Sequence, residues 1–363
     1  MHALKRFGTA FGGYKMMENY PVPECGPDDI ILEIKAAAIC GADMKHWGVD
    51  NGYDDTNITP DQQQSVRGHE FAGEIVKVGE NVKDWHIGQR VVSDNSAHVC
   101  GVCPACEQGD FLCCEHKVNL GLDNNTWGGG FSKYCKVPGE ILAIHKHAIW
   151  EIPEGIKYEE ACVLDPICNA YKAVAQQSHL IPGQDVVVFG TGPLGLFSVQ
   201  VAKLMGAVNI VMVGLDDDVK VRFGVAKELG ATHCVNGSKE DVVARCTEIC
   251  GRDNLGLVIE CSGANIALKQ AIEMTRPNAE IVRVGMGFKP LEFSINDITA
   301  WNKSIIGHMA YDSTSWRNCI RLLQSGQIKV QPMITHRLGL SQWQEGFDKM
   351  AKKEAIKVIF HYD

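Results

Sequence analysis

Four cysteines, Cys100, Cys103, Cys106 and Cys114, lie in the run CGVCPACEQGDFLCC with the spacing C-x2-C-x2-C-x7-C. Thiolates are soft ligands. The Gly and Pro turns between them let four sulfurs converge on one tetrahedral ion, which is the arrangement of a closed structural zinc site. Similar runs also hold iron–sulfur clusters, and a loop of free thiols is the plainest alternative. Glu107, Asp110 and Glu115 sit among these cysteines, so a nucleic-acid zinc ribbon, which needs basic flanks, is disfavoured. A second set of metal-ligand types is dispersed: Cys40 in ICGAD, His69 and Glu70 in RGHEFAG, and Asp165 in VLDP. A thiolate, an imidazole and a carboxylate can bind zinc and leave one position open, as catalytic zinc requires. Taken singly, each has an ordinary reading as a buried thiol or a hydrogen-bonded histidine.

A third motif is VVVFGTGPLG, in which Gly190, Gly192 and Gly195 form G-x-G-x-x-G around Pro193 and Leu194. It follows an apolar strand and opens a helix. In that context the glycines allow a tight turn, close approach of a pyrophosphate to the helix N-terminus and close helix packing. Roughly 20 residues further on, dinucleotide sites usually carry an acid for the ribose hydroxyls. Here Gly214 fills that place, followed by Leu215, Asp216, Asp217 and Asp218. Gly214 leaves room for a 2′-phosphate, whereas the acidic trio repels one unless Lys220 or Arg222 intervenes. Asp216 is the candidate ribose carboxylate. Gly263 of ECSG and Gly285 of VGMG, at the ends of later strands, are further candidates for contact with the dinucleotide.

The elements that must position these groups fall into two kinds. Residues 30–39, 71–79, 88–93 and 131–137 read as short strands punctuated by Gly and Pro, giving a β-rich domain, a partly open barrel. The character changes near residue 155. A helical stretch over 156–177 leads into apolar runs at 185–190, 209–214, 233–237, 255–263 and 280–287. Those runs alternate with helical patterns about every 25 residues, which indicates a parallel doubly wound sheet. The tail ends in a strand-like run at 356–360 that can return to the first domain. The chain has 363 residues, 45% of them hydrophobic and 22% charged, with 35 Lys+Arg against 44 Asp+Glu and a net charge of -9. That balance excludes a disordered chain and argues against a nucleic-acid or anionic-membrane surface. No apolar run is long enough to span a bilayer. The first twenty residues carry no secretory pattern. With fifteen cysteines, an odd number, the expectation is a cytoplasmic protein with reduced thiols.

Together, ICGAD, GHEFAGEIVKVG, the four-cysteine lobe, VVVFGTGPLG and ECSG resemble the zinc-containing medium-chain alcohol dehydrogenases, in order and over essentially the whole chain. Within that family the plan is similar to sorbitol-type polyol enzymes, and LDPICNAYKAV is similar to L-threonine dehydrogenases. The resemblance implies an α/β chain with a GroES-like β-rich catalytic domain over 1–164, a Rossmann dinucleotide-binding domain over 165–300 and a return to the catalytic domain over 301–363. It implies two zinc ions, one structural and one catalytic. Cys40 and His69 would bind the catalytic ion, with Glu70 and Asp165 in its sphere and Asp43 orienting His69. It implies NAD as cofactor, with NADP as the alternative, a homo-oligomer (dimer or tetramer), and hydride transfer from a polyol or secondary alcohol. An amino alcohol such as threonine is the alternative substrate, and a non-catalytic binding protein on the same scaffold is the alternative class.

Two features depart from the family, the proton relay and an Arg-Tyr pair. Ala42 replaces the usual Ser or Thr of the proton relay, and Lys45 replaces its His, with His46 one residue beyond. A proton would then leave through Lys45, His46, Glu70 or water. Ala310 stands where sorbitol enzymes carry the Arg of an Arg-Tyr pair, although Tyr311 remains. Asn95, Asn125, Trp127 and Asn169 are polar candidates for a substrate pocket.

Overall fold

A computed structural model describes residues 1–7, 13–44, 47, 64–123, 126–287 and 289–362. The chain divides into two units. The first comprises Met1–Asp165, Asp312–Ile320 and Ile334–Asp363, and the second Pro166–Tyr311 and Arg321–Met333. The division falls inside the helix Leu164–Tyr171.

The first unit is built on one sheet, in the order Ile334–Gly339, Lys357–His361, Ile30–Ala38, Glu70–Val78, Arg90–Ser93 and Ile149–Glu151, with Tyr134–Val137 also pairing with Ile30–Ala38. The long strands Ile30–Ala38 and Glu70–Val78 run antiparallel, with Ala38 opposite Glu70 and irregularities at Ile31/Leu32 and Ile34/Ala36. Such bulges add local twist, which lets a sheet curl towards a barrel. The last strand pairs with the third in the order just given, Phe360 opposite Ala37, so residues from far along the chain complete the sheet. Leu32, Ile34, Phe71, Ile75, Phe131 and Phe360 point into a closed core. Phe347, on the helix Trp343–Ala351, joins it and touches the rings of Tyr14 at 5.2 Å, Trp47 at 5.6 Å and Phe131 at 6.1 Å.

The second unit is a six-stranded sheet in the order His233–Asn236, Ile210–Gly214, Val186–Phe189, Leu257–Glu260, Glu280–Arg283 and Ser304–Gly307. Every neighbouring pair is parallel. Read by order of appearance this is 3-2-1-4-5-6, a doubly wound sheet, and ligands of such sheets bind beyond the strand C-termini where the order reverses. Val186–Phe189 is buried along its whole length, as expected for a strand covered on both faces. Ser304–Gly307 still belongs to this sheet, so the return to the first unit begins later than residue 301: Asp312–Ile320 and Ile334–Asp363 make it. Among the described residues, no helix is long and apolar enough to cross a membrane.

Phe347→Ala removes a fully buried ring from the aromatic cluster. It is expected to cost about 3–5 kcal/mol, read as a lower denaturation midpoint with little change in the dinucleotide-binding unit.

Candidate metal centre and dinucleotide site

Cys40 follows the strand Ile30–Ala38, and Glu70 opens the strand Glu70–Val78. Because Ala38 pairs with Glu70, the two loops meet at one end of the sheet. Gly68 turns the chain there with φ +89, and a Cβ on it would lie 2.6 Å from the Phe131 ring. The result is that ligand atoms of Cys40, His69 and Glu70 lie within 4.8 Å of one another. His69 and Glu70 are buried, and His69 Nδ1 and Glu70 Oε1 have no hydrogen-bond partner in the described structure. Buried polar atoms are normally satisfied. A divalent cation fits this set: it gives the open Glu70 oxygen and the thiolate a partner, and the chemistry of Cys, His and carboxylate suits zinc.

Charges around the cluster are balanced by a residue that the motifs did not reveal. Lys357, at the start of the last strand, is buried, and its Nζ donates to Ile39 O at 3.0 Å and to Glu70 Oε2. Burial alone would lower the lysine, but the Glu70 carboxylate first, and Cys40 after it, raise it. Burial pushes Glu70 well above the usual carboxylate range while Lys357 pulls it back, and burial likewise raises the Cys40 thiol. The only sequence signal for Lys357 was a lysine interrupting the apolar run AIKVIF.

Asp43, in the short helix Gly41–Met44, accepts the Cys40 N–H on Oδ2 at 3.0 Å, and its Oδ1 stands 3.9 Å from His69 Nδ1. Asp165 is not one of the three converging ligands. Its Oδ2 accepts the Asn95 side-chain N–H at 3.2 Å, and Asn95 itself is held at φ 60. Asn169 Oδ1 faces His308 Nε2 at 3.2 Å within the second unit, and Trp127 packs against the first unit's core. Lys45, His46 and Asn125 lie outside the described residues.

The four-cysteine lobe closes on itself. Cys100 Sγ stands 4.0 Å from Cys106 Sγ and 3.6 Å from Cys114 Sγ. Zinc–sulfur bonds of about 2.3 Å in a tetrahedron place sulfurs about 3.8 Å apart. The backbone N–H groups of Cys100 and His116 both point at Cys114 Sγ at 3.4 Å. The Cys106 backbone N–H, ahead of the neighbouring thiols, lowers Cys103 to about 6, while burial raises Cys106 to about 12. Cys113 is exposed and stands apart from the convergent set.

In the second unit, Gly190 turns at φ +94, and a Cβ on Gly195 would lie 1.8 Å from Gly190 O, so only glycine permits this closure. Gly192 caps the helix Pro193–Leu204 and Pro193 opens it. The free N–H groups at that terminus suit a pyrophosphate. Gly263 and Gly285 are also in close approach, since a Cβ on Gly285 would lie 2.1 Å from Gly263 N. Glu260, unremarked in the sequence, organises this turn: its Oε1 accepts the N–H groups of Ser262 and Gly263 at 2.7 and 2.8 Å.

The space expected at Gly214 is already taken. A Cβ there would meet Thr191 at 2.6 Å and Phe223 at 2.7 Å, so side-chain packing, rather than room for a phosphate, accounts for the glycine. Asp218 turns inward, accepting Leu215 N–H at 2.8 Å with Arg222 3.6 Å away. Asp216 remains exposed, held by Asn236 at 2.7 Å and Lys239 at 3.2 Å; Asn236 first and Lys239 second keep its carboxyl below the usual range.

The profile of the "Alcohol dehydrogenase GroES-like domain" matches residues 26–147, and that of "Zinc-binding dehydrogenase" matches residues 193–325. Over all 363 residues, and 99% of the relative, the chain is 78% identical to an uncharacterised zinc-type alcohol dehydrogenase-like protein of Escherichia coli (strain K12). It is 30% identical to a sorbitol dehydrogenase of Halalkalibacterium halodurans, covering 99% of this chain and 98% of that protein. The crystal structure of 2R,3R-butanediol dehydrogenase from Bacillus subtilis superposes with a TM-score of 0.84 at 29% identity, covering 100% of this chain and 99% of that one. With a sheet ordered for a dinucleotide, two convergent ligand sets and both domain profiles in sequence, the chain belongs to the zinc-type medium-chain alcohol dehydrogenases, enzymes that use a nicotinamide cofactor.

Proposed function

We propose that this chain oxidises a polyol or a related secondary alcohol, with NAD as its cofactor and two zinc ions, one at Cys40, His69 and Glu70 and one at Cys100, Cys103, Cys106 and Cys114. The observation that carries the reading is the convergence of Cys40, His69 and Glu70 beside the buried Lys357. Bound at these sites, zinc would supply Lewis acidity for the alcohol oxygen and a nicotinamide would supply the hydride acceptor. The residues do the rest. Asp43 orients His69, and Lys357 restrains one Glu70 oxygen and leaves the other free to face the ion. Asp165, tied to Asn95, acts at one remove from the three ligands. With Ala42 offering no hydroxyl, the proton leaves through Lys45, His46, Glu70 or water rather than through the usual hydroxyl relay. The named relatives act on sorbitol and on a butane-2,3-diol, both of which carry neighbouring hydroxyls. A vicinal diol is therefore the substrate pattern first expected here. The exposed Asp216 favours unphosphorylated ribose, because a carboxylate beside a 2′-phosphate is repulsive.

A second copy of the chain is the expected partner. Among the described residues Ser304–Gly307 is the edge strand of the parallel sheet, and Ile305, Trp301 and Met309 are exposed beside it. An edge of this kind pairs with another strand unless it is blocked.

The deciding assay follows reduced-nicotinamide absorbance with zinc-loaded protein, NAD and NADP in parallel, and a panel of four- to six-carbon polyols, threonine and simple secondary alcohols. Turnover of a polyol with NAD is expected; exclusive turnover of threonine, or none with any alcohol, overturns the reading. Cys40→Ser should reduce turnover by at least about 1,000-fold, comparable to losing several kcal/mol of transition-state stabilisation, while dinucleotide binding is kept. Cys106→Ser should lower the thermal midpoint and release one zinc per chain, measured by metal analysis. Ile305→Lys should shift the sedimenting species towards the monomer.

A further inference from the structure

One buried cation near the centre has no part in the scheme above. Arg67 precedes the Gly68 turn. Its Nη2 lies 3.6 Å from Asp43 Oδ1, and both side chains are buried. The guanidinium is fixed from several directions. Nη1 donates to Leu122 O at 3.2 Å. Its own backbone is pinned on both sides, N–H to Leu4 O at 3.1 Å and carbonyl to Phe131 N–H at 2.8 Å. Asp43 is equally constrained: Oδ2 takes the Cys40 N–H at 3.0 Å, and its backbone oxygen takes the Tyr14 hydroxyl at 2.8 Å. The remaining carboxylate oxygen, Oδ1, faces Arg67 and also His69 Nδ1, the latter at 3.9 Å. Asp43 thus touches the loops of two converging ligands, and Arg67 is the cation beside it.

We infer that Arg67 is a positioning residue for the Cys40–His69–Glu70 centre: it holds Asp43 as the acceptor that fixes the His69 ring with Nδ1–H towards Asp43 and Nε2 towards the ion. The inference rests on the zinc reading given above. Arg67 Nη2 stands 3.6 Å from the same Asp43 oxygen that faces His69 Nδ1, so the guanidinium restrains that oxygen, and removing it frees the acceptor to turn. Lysine at 67 keeps the charge; methionine keeps most of the volume and removes it.

The test uses the full zinc-loaded chain and follows zinc release to a chromophoric chelator, alongside the thermal midpoint and dinucleotide binding. The four-cysteine ion serves as internal reference. In Arg67→Met the ion at Cys40, His69 and Glu70 should leave at least about 10-fold faster, in line with other partners of metal ligands. Release from the four cysteines and dinucleotide binding should stay as in the unsubstituted chain. Arg67→Lys should recover most of the loss. Arg67→Gln, neutral but polar, is read in parallel in case the methionine variant does not fold, and should also release the ion faster. Unchanged release in both neutral variants, even with a lower midpoint, makes Arg67 a pin for the Leu122 loop only and overturns the inference alone. A starting chain that holds only the four-cysteine zinc overturns the underlying reading and the inference with it.

Discussion

The buried contact between Lys357 and Glu70 is the constraint on which the first unit turns. Taking an ammonium and a carboxylate out of water is expensive, and their attraction offsets it only when geometry and the remaining hydrogen bonds are in place. Here that requires three strands in one register. Ala38 must face Glu70, the last strand must lie beside Ile30–Ala38, and Ile39 O must be free to accept the second lysine bond. A slip of one residue would turn Glu70 to the other face of the sheet and leave a charge buried without a partner. The same register delivers Cys40 and His69 to one end of the sheet, so the demands of the ion pair and of the ligand set coincide.

The second unit is held differently. Its sheet is apolar on both faces, and its polar demands are concentrated at the strand C-termini. There, close backbone approaches replace side chains: Gly195 against Gly190, and Gly285 against Gly263. Glu260 contributes the one carboxylate needed to tie the intervening turn, with Arg283 3.9 Å from its second oxygen. Rigid glycine-lined backbone suits a ligand whose pyrophosphate is recognised by N–H groups rather than by long side chains.

Much of this was legible in the amino-acid order, because the signals were local. An apolar run ending in Gly190 and a helix opened by Pro193 define a strand, turn and helix without reference to anything distant. The C-x2-C-x2-C-x7-C spacing likewise brings its sulfurs together within one loop. What escaped was what depends on pairing across the chain. Lys357 and Glu70 are 287 residues apart, and no periodicity links them. Arg67 adjoins His69 and Glu70 in the sequence, but its burial is set by chain brought over it from elsewhere, Leu4 and Phe131 among it. Gly214 misled for the related reason that an absent side chain can mean space for a ligand or space already filled. Thr191 and Phe223, which fill it, come from other elements. The sixth strand, Ser304–Gly307, lies in the stretch that the resemblance gives to the returning tail; it is only four residues long with three of them exposed, so no buried apolar run marks it.

The last strand, Lys357–His361, has a further consequence for how the protein is made. On the ribosome, the halves of the Glu70 contact are synthesised with nearly the whole dinucleotide-binding sheet between them. The second unit is almost wholly contained in 166–333 and can collapse while the nascent chain is still being extended. The first unit, for all its earlier residues, must wait for residues 357–361. Until then Glu70 has no counter-ion, and the edge of Ile30–Ala38 that Lys357–His361 will cover has no neighbour. A chain cut short by a few residues at translation would therefore carry a finished nucleotide fold and an unfinished metal centre. Cellular proteases would distinguish that product from a chain carrying the last strand by the open barrel alone.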